Sequence, residues 1–333
     1  MIICLSLPLN EVNPSLYADM KRYIALLMVF ICAVTARCIT LEPGKFRIVI
    51  SERCPAPVRL AAESVARDFG KVMHCIPDID SLTSPDMVNI RVVDAAADGV
   101  TGLRTLDGFE SHRIYADGHD IVLAGKDMRG AVYALYSFSE KFLGVPPLWY
   151  FCGWVPEYKR TVEMADDYDC AVKSPEVRFR AWFPNDEDLL NPWREQSPQN
   201  DELWLETMLR LKLNTVEFGP TVTYPDYRMN HNADLLRKYG LILTSHHMVG
   251  LNNSFANWEK YWEQVRGMKA PELKLANLDA MKEFWAYNIA TVMRNDQENL
   301  WQIAFRGRTD EPFWNIFPDA PEGEKERAGV INL

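Results

Sequence analysis

The chain has 333 residues and a formal net charge of -10, with 36 lysines and arginines against 46 acidic residues. That length can bury more than one core. No lysine- or arginine-rich block interrupts it, which argues against a nucleic-acid or anionic-membrane partner, because such binding relies on clustered positive charge.

At the N-terminus, Met20-Lys21-Arg22 is a short basic segment and Tyr23 to Ala33 an apolar one. Val34-Thr35-Ala36 supplies compact residues at the positions a signal peptidase reads. The pattern is that of a secretory signal starting at Met20 and cleaved after Ala36, which makes residues 1–36 an upstream extension plus signal peptide. The apolar stretch is short for a stable membrane span, so the expectation is an exported protein, periplasmic or extracellular; an uncleaved anchor is the alternative. Beyond the signal, Cys38, Cys54, Cys75, Cys152 and Cys170 show no zinc-type spacing. A Cys38–Cys54 bridge is permitted but not indicated.

Residues 37–173 read as a small α/β accessory domain with a connector. Phe46 to Ile50 alternates as a strand, and Pro57 to His74 has helical periodicity with proline near its start. Val88 to Val93, Ser111 to Tyr115 and Ile121 to Ala124 are short β-branched runs. Asp127 is placed to cap a helix that Gly144 ends. Val145 to Tyr150 is a stiff aromatic connector, and Glu157 to Val172 a hairpin or an extended crossing segment. Ser174-Pro175 reads as a boundary, because proline disfavours helix at the residue before it.

From residue 174 to 333 the rhythm becomes strand then helix. Strands are expected at Val177 to Phe183, Asn214 to Phe218, Leu241 to Ser245 and Leu300 to Phe305, with helices at Asp201 to Leu211, Ala233 to Tyr239 and Leu278 to Arg294. Such alternation predicts about four parallel βα units, as an open sheet or as the first half of a TIM-like (β/α)8 barrel.

Each expected strand runs into polar residues. They are Asn185 to Asp188; Glu217 and Tyr224; Ser245, His246 and His247; and Arg306, Arg308, Asp310 and Glu311. Parallel strands would gather all four clusters on one rim, where side chains can move protons and hold hydroxyls. Other readings stand beside this one. An acidic loop is often a solvated cap, and Arg306 with Asp310 can be a structural ion pair. Neighbouring His246 and His247 point to opposite sides of a strand, so they make a poor metal pair and one of them packs. No metal or cofactor is expected.

Several short motifs, in order, resemble glycoside hydrolase family 115. Gly125-Lys126-Asp127-Met128-Arg129-Gly130-Ala131-Val132-Tyr133-Ala134-Leu135-Tyr136, then Gly144-Val145 and Trp149-Tyr150, are similar to its accessory domain. Arg180 with Asn185-Asp186-Glu187, Leu209 to Asn214, Tyr239-Gly240, Thr244 to His247, Phe305-Arg306-Gly307 and Asp310-Glu311-Pro312 follow its catalytic barrel. The resemblance spans roughly Phe46 to Pro312. It implies an inverting α-glucuronidase that removes glucuronic acid or its 4-O-methyl form from xylan-type polysaccharides. The implied fold is an accessory α/β domain, a TIM-like barrel and further C-terminal domains, through which a homo-oligomer can form.

By that resemblance Asp186 and Asp310 take catalytic positions, and His246, His247, Arg306 and Glu311 bind substrate, a polysaccharide or oligosaccharide carrying uronic acid. The family's general acid is a glutamate on a later strand, which implies that this chain is the N-terminal part of a longer enzyme. Three departures bear on the sugar. Val216-Glu217-Phe218-Gly219 stands where the family has a tryptophan-proline pair, Met248 where it usually has glutamate, and Arg308 where it has an acidic residue. They keep open a second class, a non-catalytic carbohydrate-binding relative.

Overall fold

The computed structural model describes residues 38–100, 103–183, 187–217, 231–246 and 250–303, together with 222, 224, 308, 311–320 and 322. Its first unit is built on a six-stranded sheet whose strands include β2 (Phe46–Val49), β3 (Ile79–Asp80), β4 (Val88–Asp94), β5 (His112–Asp117), β6 (Asp120–Gly125) and β8 (Asp169–Val172), ordered β3-β2-β4-β6-β5-β8. The first four in that order run parallel, and β5 and β8 antiparallel to their neighbours. Ile121, Val122, Leu123 and Ala124 are all buried, as a central strand covered on both faces requires.

Helix α1 (Ala56–Met73) places Val58, Ala61, Ala62, Val65, Phe69, Val72 and Met73 on one buried face, and Phe69 meets Phe46 of the sheet at 4.7 Å between ring centroids. The short α2 (Ala95–Asp98) follows β4, and α3 (Met128–Phe138) follows β6. Asp127 caps α3, its side chain accepting from Gly130 N at 2.9 Å. The crossing of β6 and α3 admits no side chain at two positions: a Cβ on Gly125 would sit 1.9 Å from Ala131 N, and one on Gly130 would sit 2.5 Å from the Ser111 carbonyl oxygen. A widened π-helical turn, Ser139–Leu143, leads to Gly144 in the left-handed conformation.

The segment expected as a hairpin or a crossing piece crosses. Strand β7 (Val162–Ala165) pairs with β1 (Cys38–Leu41) in a separate antiparallel ribbon, whereas β8 joins the large sheet beside β5. Cys38 and Cys54 are both free thiols. Burial pushes the Cys54 thiol up to about 11, so it stays protonated at neutral pH.

In the second unit β9 (Ala181–Trp182), β10 (Thr215–Glu217) and β11 (Ile242–Thr244) run parallel in the order β11-β10-β9. Helices α4 (Glu187–Arg194) and α5 (Pro198–Arg210) fill the first crossover, and α6 (His231–Tyr239) lies in the second. Sequence reasoning missed α4 and began α5 too late. Ser197 caps α5 through Gln199 N, with Pro198 at its first position. Short α7 (Trp258–Lys260) and long α8 (Leu278–Arg294) precede a fourth parallel contact, Leu243 with Asn299. It is held by Leu243 N to Glu298 O and Leu300 N to Leu243 O. This strand therefore engages at 298–300, two residues earlier than expected, and residues 304–307 lie outside the described ones.

One hydrophobic core runs through both units, from Ile48, Phe69 and Leu135 to Trp204, Val216, Leu236 and Leu243. Two charged clasps cross the same boundary. In the first, Glu110 (2% exposed) accepts from Arg129 Nε at 2.6 Å, Asn214 Nδ2 at 2.9 Å and Arg180 Nη2 at 2.5 Å. Arg129 continues to Glu298 and the Gly240 carbonyl, and Arg180 to the Lys212 carbonyl. Burial opposes the Arg129 charge, but Glu298 and Glu110 outweigh it and hold the guanidinium above its ordinary pKa. In the second clasp, fully buried Arg210 bonds Asp68 at 2.6 Å, Glu206 at 2.8 Å and Ser64 at 3.1 Å.

Candidate functional site at the strand ends

Side chains alternate along β9, β10 and β11, and the core settles which face is which. Trp182, Val216 and Leu243 lie in one layer packed against the helices. Glu217 therefore faces the other way at the end of β10, where it pairs in register with Thr244. Two residues beyond Thr244, His246 returns to that same face.

There the two meet, His246 Nδ1 lying 2.5 Å from Glu217 Oε1. Glu217 is 4% exposed, while the His246 side chain keeps 25% of its surface open. A carboxylate taken so far out of water is costly without a hydrogen-bonding partner, and His246 supplies one. Phe183, just past β9, closes the other side of the imidazole, with ring centroids 4.5 Å apart and planes at 60°. The Phe183 side of this group is open, at 45% exposure. An acceptor-rich carboxylate, an imidazole and an exposed aromatic face thus line the C-terminal ends of three adjacent parallel strands. That is where α/β folds with parallel strands place ligands.

The loop after β11 is braced toward the fourth strand. Leu251 and Asn252 both take left-handed backbone, with φ of 49° and 63°. Leu251 N bonds the Gln302 carbonyl at 2.9 Å, and Asn252 Nδ2 bonds Asn299 Oδ1 at 2.8 Å. Behind them, buried Asn253 and Asn288 bond each other at 2.8 Å, and both bond the Tyr224 hydroxyl. These amide contacts hold the left-handed backbone at Leu251 and Asn252 against the segment 299–302.

Of the residues expected at the site, His246 lies just past β11 beside Glu217. Asp186, His247, Arg306 and Asp310 lie outside the described residues. Glu311 is half-buried, just before a 3-10 turn at Phe313–Ile316, and no described contact joins it to His246. Arg308 pairs instead with Glu259 of α7 at 2.7 Å. Sequence reasoning noted Glu217 only as a strand-end carboxylate and missed Phe183 as a neighbour. The available signal was the even spacing of Phe183 from Ala181 and of His246 from Thr244. Among the described residues no group of three His, Cys, Asp or Glu could hold a metal ion. No helix among them is long and apolar enough to cross a membrane.

Parallel strands with a carboxylate, a histidine and an aromatic ring at their carboxyl ends define the class, an α/β protein. Residues 172–331 match the family described as glycosyl hydrolase family 115. The structure is similar to a solved family GH115 4-O-methyl-α-glucuronidase with specificity for decorated arabinogalactans, at TM-score 0.69 and 24% identity over 88% of this chain. It spans 39% of that protein's length. A product complex of a mutant Streptomyces plicatus β-hexosaminidase is a more distant likeness, at TM-score 0.41 and 11% identity over 71% of this chain and 48% of that one. No curated protein sequence matches.

Proposed function

We propose that this chain supplies the sugar-binding rim of an inverting α-glucuronidase that releases glucuronic acid or its 4-O-methyl form from decorated xylan or arabinogalactan. The observation that carries it is a coincidence of place. The family match covers the very strands whose carboxyl ends bring Phe183, Glu217 and His246 together. In this reading the four parallel strands are the first half of a TIM-like barrel. Asp186 and Asp310 position the attacking water, and Arg306 holds the uronate carboxylate in a bidentate pair. His247 and Glu311 complete the sugar contacts. The general acid is not assigned to any residue of this chain, and a longer form supplies it.

The test is binding before turnover. Glucuronic acid and a short aldouronic acid are titrated into the 333-residue chain and followed by NMR. Saturable shifts confined to residues around His246 are expected, with no release of free uronic acid. Absence of binding to either sugar overturns the reading, and hydrolysis by this chain overturns the assignment of the acid to a longer form. Saturable binding by a longer form that still hydrolyses no aldouronic substrate would favour the non-catalytic alternative. Export through the signal at Met20 is part of the proposal, and a mature N-terminus at Arg37 in a secreted fraction is its expected signature. Assembly into a homo-oligomer through further C-terminal domains belongs to the longer form, and its mass in solution tests it.

A further inference from the structure

We propose that the first unit carries a second sugar site, a cleft at the carboxyl ends of β2, β3 and β4 that takes a neutral run of the polysaccharide. The inference goes beyond the rim around His246 and takes from that reading only the class of ligand.

The topology places the cleft. The adjacent parallel strands β2 and β4 send the chain to opposite faces of the sheet. After β2 it enters α1, which packs with Ile48 and Ile90 in the main core. After β4 it passes through α2, and Leu103 and Leu106 then pack on the other face with Tyr115, Val122 and Ala124. Connections that part in this way leave a crevice beyond the strand ends, and open α/β sheets bind ligands there. The crevice in this sheet has a volume of about 720 Å³ and is lined from the ends of all three strands, a size that suits a small ligand.

A local turn holds each edge of the cleft. After β2, Ser51 Oγ accepts from Arg53 N at 3.2 Å. After β3, Asp80 accepts from Ser81 N at 2.7 Å and from Leu82 N at 3.2 Å. After β4, Asp94 accepts from Ala96 N at 3.0 Å and from Ala97 N at 3.2 Å. Side-chain turns of this kind fix loop backbone, so the cleft is formed before a ligand arrives.

The lining selects the ligand. Its charged side chains are Glu52 and Asp98 against Arg53 and Arg91, so neither sign prevails. Asp117 pairs with Arg91 at 2.8 Å and lowers the positive field further. Ser51 and Ser81 add hydroxyls, and the exposed side chains of Leu82 and Val100 flank them. Mixed donors and acceptors beside apolar lips match a pyranose, which has hydroxyls around its edge and C–H groups on its faces. A phosphate fits poorly. Phosphate crevices use a glycine-rich turn and free N–H groups at the start of the next helix. The turn from β2 to α1 reads Ser51-Glu52-Arg53-Cys54-Pro55-Ala56-Pro57, without glycine, with an acid and with prolines that lack N–H.

The experiment titrates xylotriose and a galactotriose into the 15N-labelled 333-residue chain, with glucuronic acid and inorganic phosphate in separate runs. Saturable shifts around Ser51, Ser81 and Arg91 are expected from at least one neutral trisaccharide. Arg53→Ala removes an exposed side chain and should weaken that binding about tenfold, the size of one hydrogen bond from a charged donor. Ser81→Trp fills the cleft and should abolish it.

No shifts at the cleft with either trisaccharide overturn the proposal, as does trisaccharide binding that survives Ser81→Trp. Phosphate that saturates the cleft where the trisaccharides do not overturns the neutral-sugar class. If the tryptophan variant fails to fold, Arg53→Ala still decides, because wild-type affinity in that variant also overturns the site. The two sugar readings fail separately. Cleft shifts without glucuronic acid binding around His246 support this site and overturn the rim, and the reverse overturns this site alone.

Discussion

Two buried glutamates in this molecule, Glu110 and Glu217, have nearly equal burial and opposite surroundings. Glu110 lies where the two units join and takes hydrogen bonds from two arginines and an asparagine. The outer atoms of those arginines are spent on Glu298 and backbone carbonyls. Glu217 lies at the open end of the second sheet beside a quarter-exposed histidine and an exposed phenylalanine. A buried carboxylate is therefore not in itself a mark of a site. What separates the two is whether the groups around it still present surface to a ligand.

The largest expected effect would break this contrast at the joint. Glu110→Ala leaves Arg129 and Arg180 without their shared buried counter-charge, and removing one partner of a buried pair costs about 3–5 kcal/mol. Urea denaturation should show that loss. Glu217→Leu replaces a carboxylate by an apolar side chain of similar size and should cost clearly less. If the rim variant proves the more destabilising, the two glutamates do not differ as argued.

A second effect comes from His112, buried in the first unit, with Nε2 3.0 Å from Ser137 Oγ. Burial lowers its pKa from 6.5 to about 4, with a smaller push from the Lys212 charge. Between those values the unfolded chain binds a proton that the folded one refuses, so stability falls as pH falls through that window. The contribution is about 3 kcal/mol. Unfolding followed from pH 7 to pH 4 should show a smaller loss for His112→Gln than for the wild type. An equal loss would remove His112 as the cause.

At the rim, His246→Ala should weaken uronic-sugar binding about tenfold, the size of one lost hydrogen bond to a ligand. Its thermal unfolding should change far less than that of Glu110→Ala. A stability loss matching Glu110→Ala would make the histidine a structural partner of Glu217 rather than a ligand contact.

The segment carrying the densest motif, Gly125 to Tyr136, turns out to build the joint. Its glycines permit the β6–α3 crossing, Asp127 caps α3 and Arg129 reaches the second unit. These features were legible because caps, glycines and helical periods are local. The pairing of Glu217 with His246 was not, because strand register across 29 positions is set by the packing of Val216 and Leu243 against the helices. The split of β7 and β8 between two sheets was hidden for the same reason. β7 alternates buried and exposed positions while β8 is mostly exposed, and only the partners on either side decide where each goes.

The smallest expected effect concerns Arg308. The resemblance places it where the family has an acidic residue, which made it a candidate for altering the sugar. In the structure its guanidinium is taken by Glu259, with both side chains close to half exposed. Exposed pairs of this kind contribute about 0–1 kcal/mol, because water and salt screen them and long side chains resist being held. Arg308→Ala should therefore shift the urea midpoint barely, and Glu259→Ala by a similar small amount. Sugar affinity should stay within about twofold of the wild type in both, since 0.4 kcal/mol is about a factor of two. A tenfold loss in Arg308→Ala alone, with Glu259→Ala unchanged, would move Arg308 from the bracing of α7 to the ligand. The open rim would then extend past Phe183 and His246 to the loop after the fourth strand.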